Sequence, residues 1–139
     1  MADVKIVDID GSQWNMKDQE ARNKIAELET SISNDNTYST EEVKTNKIWI
    51  NGKPIYRKII LGKITEIIQN INHQIINIDS YVKLEPYMVT DNQLFPSFNT
   101  GNYYFTVFAT SKTQLILQTI QGYISNNYRI ILEYTKTTD

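Results

Sequence analysis

His73 is the only histidine in a chain of 139 residues that contains no cysteine. Those two counts bound the chemistry. Without thiols there is no disulfide, no Cys-ligated zinc and no cysteine nucleophile. A Ser-His-Asp triad would have to be built around the one imidazole. His73 stands between Asn72 and Gln74 in an Ile-rich stretch, the setting of a hydrogen-bonded structural histidine. Only a trimer, by gathering three copies of His73 on its axis, would offer a multi-histidine metal site. The carboxylates Asp8 and Asp10, and Glu41 and Glu42, are near each other in sequence, whereas glycoside hydrolysis needs two carboxylates facing each other across a cleft, and nothing in the spacing selects such a pair. The reading is no catalytic residue, no cofactor and no metal, and hence a protein that is not an enzyme.

The aromatic residues suggest binding instead. Phe95, Phe98, Tyr103, Tyr104, Tyr123 and Tyr128 gather around segments that read as loops. Aromatic rings cover the C–H faces of a sugar, and neighbouring amides bond its hydroxyls. Phe95, Phe98, Asn99 and Tyr123 are the candidate glycan contacts. The same rings serve equally as core and subunit packing of a β-sandwich.

Composition narrows the class further. Hydrophobic residues make up 40% and the net charge is -2, which excludes a disordered polyelectrolyte. A pI near 5.4 argues against nucleic acid as a partner. No apolar run approaches the roughly 18 residues that span a bilayer, so no membrane role is expected. The start, Met1-Ala-Asp-Val-Lys5, has neither the basic nor the apolar region of a signal peptide, which predicts synthesis in the cytoplasm.

Three regions must position these groups. Residues 1–13 carry Val4, Ile6 and Ile9 and end on Asp10-Gly11; they read as an attachment arm. Residues 14–36 read as a coiled-coil helix. Trp14, Ala21 and Leu28 fall at d, and Asp18, Ile25 and Ile32 fall at a. The 4-3-4 spacing from Ala21 through Ile25 and Leu28 to Ile32 is a coiled-coil seam. A helix of about twenty residues is marginal alone, so this stripe calls for a partner: a second and third copy of the chain, or the chain's own β domain. Residues 37–139 read as an antiparallel β-sandwich head.

Within the head, Asn51-Gly52 predicts a two-residue type I′ hairpin that sets Ile48 opposite Ile55 and Trp49 opposite Pro54. Both hairpin faces are apolar. Ile64, Ile67, Ile68, Ile71, Ile75 and Ile78 fit one face of a helix, yet β-branched and Asn residues are poor helix formers; strands broken near residues 70–72 are preferred. Residues 81–89 alternate as a strand, and 91–102 read as loop. Residues 103–110, 114–120 and 128–135 predict three consecutive strands, read as a meander. Ile130, Leu132 and Tyr134 share one face.

Four stretches in order resemble a module of tailed-bacteriophage tail-fibre and baseplate structural proteins. Tyr38-Ser-Thr-Glu-Glu-Val43 is similar to its Tyr-Ser-Thr-x-Glu start, and Trp49-Ile-Asn-Gly-Lys-Pro-Ile-Tyr56 to its Trp-Ile-Asp-Gly-Lys-Pro-Ile-Tyr hairpin. His73-Gln-Ile-Ile-Asn-Ile-Asp79 resembles its His-Gly-Ile-x-Asn-Ile-Asp stretch, and Tyr134-Thr-Lys-Thr-Thr-Asp139 its closing strand. Asn51 stands in place of Asp, and Gln74 in place of Gly. Trp14 to Arg22 resembles the linker helix that precedes the module. The resemblance implies a trimeric virion protein assembled in the bacterial cytoplasm. Residues 1–13 would dock on a larger virion protein, and the head would be adhesive or structural. A connector anchoring another virion protein, and a non-phage carbohydrate-binding β-sandwich, are the alternatives.

The seam makes a measurable prediction. Light scattering at micromolar concentration is expected to give a homotrimer of the 16.2 kDa chain. Ile25→Asp, by placing an unpaired charge in a buried seam, is expected to weaken it. A stable monomer, or a variant trimer as stable as the wild type, would remove the coiled coil.

Overall fold

The computed structural model describes residues 22–24 and 36–139. The chain divides into two units, Met1–Asn36 and Thr37–Asp139. In the first, residues 22–24 are helical and exposed. The attachment arm 1–13 and the seam residues Ala21, Ile25, Leu28 and Ile32 lie outside the described residues.

The second unit is mainly β, with two antiparallel sheets. Its strands in chain order are β1 (Val43–Ile48), β2 (Pro54–Lys63), β3 (Ile68–Asn72), β4 (Ile78–Val89), β5 (Leu94–Pro96), β6 (Phe98–Asn99), β7 (Tyr104–Ala109), β8 (Gln114–Thr119) and β9 (Asn127–Lys136). One sheet has the order β1-β2-β9-β4-β5 and the other β3-β8-β7-β6.

Alternation along β9 explains its place at the centre. Tyr128, Ile130, Leu132 and Tyr134 point into the core, and the last three are wholly buried. They share that core with Met88 from the same sheet and with Ile71, Phe105, Val107, Leu115 and Leu117 from the other. Each fully buried aliphatic or aromatic side chain contributes about 1.5–3 kcal/mol, so this shared layer is what holds the two sheets face to face.

The strands expected at 81–89 and in the C-terminal third form as read, but the meander does not. β7 and β8 pair as a hairpin, and the chain then leaves their sheet through a 3-10 turn at Gln121–Tyr123. β9 enters the other sheet between β2 and β4. Its long alternating pattern gains more between two strands than at an edge. In the stretch 64–78, Ile68–Asn72 is a strand and residues 73–77 are a loop. The break thus falls just after the segment where it was expected. Ile64, Ile71, Ile75 and Ile78 are buried while Ile67 and Ile68 are exposed, a division that no single helix face explains. The expected loop 91–102 contains the short strands β5 and β6.

The hairpin turn also departs from expectation. Trp49 N–H donates to the Lys53 carbonyl and Gly52 N–H to the Trp49 carbonyl, both at 2.9 Å. Only Gly52 in this turn takes a positive φ, +84°. This is a three-residue loop closed by a glycine bulge, not a two-residue type I′ turn. The slip sets Ile48 opposite Pro54 and leaves Ile48 and Ile50 exposed.

Gly62 has a different duty. It lies opposite Tyr128 on β9, and the Tyr128 ring occupies the space a Cβ would take. The bare backbone lets the ring lie flat across the strand. Gly62→Ala is therefore expected to force the buried ring aside. The cost is about 1–3 kcal/mol, read as a lower midpoint in urea unfolding. An unchanged midpoint would show that the ring moves freely.

Candidate functional site

Three places in the head bring functional side chains together. The first is built from the four motif stretches. The Tyr134 hydroxyl, in the last stretch, donates to Glu42 Oε2 at 2.6 Å. Lys136 Nζ reaches Glu42 Oε1 at 2.8 Å. The Tyr134 ring stacks on Tyr56 of the hairpin at 6.1 Å and 16°, and Lys136 Nζ sits 5.0 Å over the Tyr56 ring. Asp79, which ends the third stretch, holds Lys53 at 3.3 Å and Asn51 at 3.5 Å. Lys53 also donates to the Lys136 carbonyl at 3.2 Å.

The start of the head covers the outer face of the same sheet. Arg57 on β2 lies opposite Glu133 on β9. Its Nε and Nη2 donate to Glu133 Oε2 at 2.9 and 2.8 Å. Both side chains are almost wholly buried. The Thr37 carbonyl takes a third guanidinium hydrogen bond at 3.2 Å, and the Tyr38 ring lies 4.4 Å from the guanidinium carbon. The Ser39 carbonyl accepts from Ile59 N–H. Sequence reading missed this pair. The available signal was a charge set among apolar residues in each strand, Arg57 at the same period of two as Ile55, Ile59 and Leu61, and Glu133 between Leu132 and Tyr134.

Charge and burial set the titration of this cluster. Burial first, then a hydrogen bond to the Asp139 carboxylate and the charges of Asp139 and Glu42, push Tyr56 up to about 12. Burial, followed by the bond to Glu42, raises Tyr134 well above the usual phenol range. Both phenols stay neutral and donating at physiological pH.

The second place is an open groove along β2 and β3. Two depressions of about 410 Å³ and 510 Å³ both take in Thr40, Lys58 and Gln74. The first is also walled by Asn70, Asn72 and Leu61, the second by Glu41, Glu42, Ile76 and Lys136. His73 belongs to the wall of the first depression. Its side chain is 2% exposed and both ring nitrogens are engaged, by Tyr81 and by the Ile75 amide. The imidazole is therefore spent within its own chain rather than offered to a three-fold axis. Gln74, standing where the phage module has glycine, takes φ +60°; the left-handed turn forms with a side chain present. Asn72 Oδ1 supports it by accepting from Gln74 N–H at 2.8 Å.

The third place holds the candidate glycan contacts. Phe95 and Phe98 lie 6.4 Å apart, and Phe98 meets Tyr123 edge-on at 6.0 Å. All three are half-buried and packed against the core. Asn99, next to Phe98 on β6, is exposed and accepts from Gly101 N–H at 2.9 Å, shaping the turn. Of the other rings, Tyr103 is exposed while Tyr128 belongs to the core. Among the described residues, no group of three or more His, Cys, Asp or Glu side chains is assembled to hold a metal ion.

The Tyr134–Glu42 bond yields a prediction with a sign. A phenol whose folded pKa lies above its ordinary value of 10.0 contributes stability that is complete below about 10 and lost as pH rises beyond it. Denaturant midpoints are expected to hold from pH 7 to 9 and to fall above 10. Tyr134→Phe is expected to cost about 1.5–3 kcal/mol at pH 7, the worth of a hydrogen bond to a charged group, and to flatten the alkaline loss. An alkaline limb unchanged in the variant would assign the loss elsewhere.

No family model, no curated protein and no solved structure matches the chain, so a functional reading rests on its own residues.

Proposed function

We propose that this chain is a structural protein of a tailed-bacteriophage virion, a tail-fibre or baseplate component. In this reading a short coiled coil assembles three copies, residues 1–13 dock on a larger virion protein, and the loops of the β head bind a bacterial surface glycan. The observation that carries the reading is convergence. The four stretches that resemble the phage module are spread from Tyr38 to Asp139, yet they meet in one network through Glu42, Tyr56, Asp79, Tyr134 and Lys136. A motif whose residues bond to one another describes a scaffold. The loops at 91–102 and 121–127 take no part in this network, and they carry Phe95, Phe98, Asn99 and Tyr123.

The second reading is a connector that anchors another virion protein. Exposed apolar residues favour it. Ile48 precedes the hairpin turn and Ile50 lies in it, and Ile76 lies in the loop ahead of Asp79, to which the turn is tied.

Binding to a panel of purified bacterial surface glycans and to whole cells separates the two. A neutral sugar is held by rings and amides, so binding should be nearly insensitive to salt, and three heads should raise the apparent affinity through effective concentration. Phe98→Ala with Tyr123→Ala is expected to abolish binding. Because both rings rest on the core, melting is measured alongside, and Asn99→Ala at its exposed position serves as the milder variant. Wild-type protein that binds nothing, or well-folded variants that bind equally, would leave the connector reading. Deleting residues 1–13 is expected to leave a folded trimer that fails to enter particles. Normal incorporation would refute the attachment arm.

A further inference from the structure

One buried titratable group has no part in the motif cluster or in the aromatic loops. His73 Nε2 lies 2.9 Å from the Tyr81 hydroxyl on β4. That hydroxyl donates to the Ser111 carbonyl, in the turn between β7 and β8, at 2.7 Å. On its other side, His73 Nδ1 accepts from the Ile75 backbone N–H at 3.1 Å. An N–H aimed at Nδ1 requires a lone pair there, so the proton sits on Nε2 and is donated to Tyr81. The directions are then fixed along the whole chain, from imidazole to phenol to carbonyl.

The surroundings oppose a second proton. Burial, and then the nearby Lys58 ammonium, hold the His73 imidazole below its usual range. Lys58 faces it from β2 and donates to the His73 carbonyl at 3.1 Å. Tyr81 faces it from β4, and burial raises that phenol, so it stays neutral. The turn that supplies Ser111 carries Lys112, which donates to the Asp79 carbonyl, and Asp79 is itself paired with Lys53. Among the described residues, the two ring nitrogens meet a phenol and an amide, neither of which compensates a positive charge.

Besides this chain, the loop that follows is anchored by buried Ile75, by Gln74 N–H on Asn72 Oδ1 at 2.8 Å and by Thr137 N–H on the Asn77 carbonyl at 2.8 Å. Gln74 and Asn77 take positive φ angles, and Ile76 is exposed while Ile75 is buried. His73, Gln74, Ile75 and Ile76 together form one wall of the groove along β2 and β3.

We propose that His73 is a proton-sensitive latch: its neutral Nε2–H tautomer pins the 73–77 loop to β4 and to the β7–β8 turn, and protonation releases that loop and opens the groove wall. A proton added at Nδ1 points at the Ile75 N–H, so two donors face each other. The loop must move to let the cation reach water. A base whose folded pKa is depressed stabilises the closed loop fully above its ordinary value of 6.5. That contribution is lost as pH falls from there through the folded value. The latch is independent of what the groove or the loops bind.

Because His73 is the only histidine, its imidazole can be followed without ambiguity. NMR of the full chain between pH 8 and 4 would give its tautomer and titration, and amide exchange would give the protection of residues 74–77. The expected result is an Nε2–H tautomer at pH 7 and a midpoint below 6.5. Loop protection should fall about tenfold per pH unit below 6.5 until the folded midpoint is reached, while amides of β9 keep theirs. His73→Asn keeps an acceptor for the Ile75 amide and cannot titrate, so its loop protection should lose the pH dependence. An Nδ1–H tautomer at pH 7, loop protection unchanged as His73 titrates, or the same pH dependence in His73→Asn would each overturn the latch. The wild-type titration decides the matter even if the variant does not fold.

Discussion

The head is organised by a carboxylate that cannot be left alone. Glu133 sits on the outer face of the central strand with almost no contact with water. Removing one partner from a buried ion pair typically costs about 3–5 kcal/mol, a large part of the 5–15 kcal/mol that stabilises an ordinary domain. Arg57 is the partner, and it is positioned only if β2 and β9 pair in one register. A slip of one residue would turn Arg57 to the other face and strand both charges. The same slip would take Tyr56 off Tyr134 and Gly62 off Tyr128. The pair contributes little net energy of its own; it makes every other register expensive. Thr37 and Tyr38 complete the arrangement by closing over the guanidinium, which ties the first residues of the head to its last strand.

Much of this fold was legible in the sequence, for a definite reason. Where one face of a strand is core and the other is not, the period of two is written in the residues. Ile130, Leu132 and Tyr134 could be placed on one face without coordinates. The strand β4 and the β7–β8 hairpin were visible for the same reason. What could not be read is set by contacts distant along the chain. The sheet that receives β9 is decided by its partners β2 and β4. Asn51-Gly52 favours a tight turn, but Pro54 offers no N–H to the hairpin ladder, and the turn takes a third residue with the glycine as bulge. Glu42 and Tyr134 are 92 residues apart, and no local pattern announces their bond.

The candidate glycan contacts were half legible. Proximity of Phe95, Phe98 and Tyr123 follows from the return of the chain through β5, β6 and the 3-10 turn, and the sequence did place them together. How far each ring sinks into the core depends on the opposite sheet. The groove on the far side went unread because its wall consists of Thr40, Lys58, Asn70 and Gln74, drawn from four separate segments, none remarkable on its own.

The position of β9 has a consequence for how the protein is made. The strand at the middle of the larger sheet follows both of its partners, β2 and β4, in the chain. Until it emerges, β2 and β4 have nothing between them, and each presents an unpaired edge and an apolar face. The sandwich therefore closes only once residues 127–136 have been made. Slow, non-local closure of this kind exposes a chain to aggregation. A stop ahead of residue 127 would remove the axis of the head. Chains truncated there would leave β2 and β4 unpaired along the edges that β9 occupies.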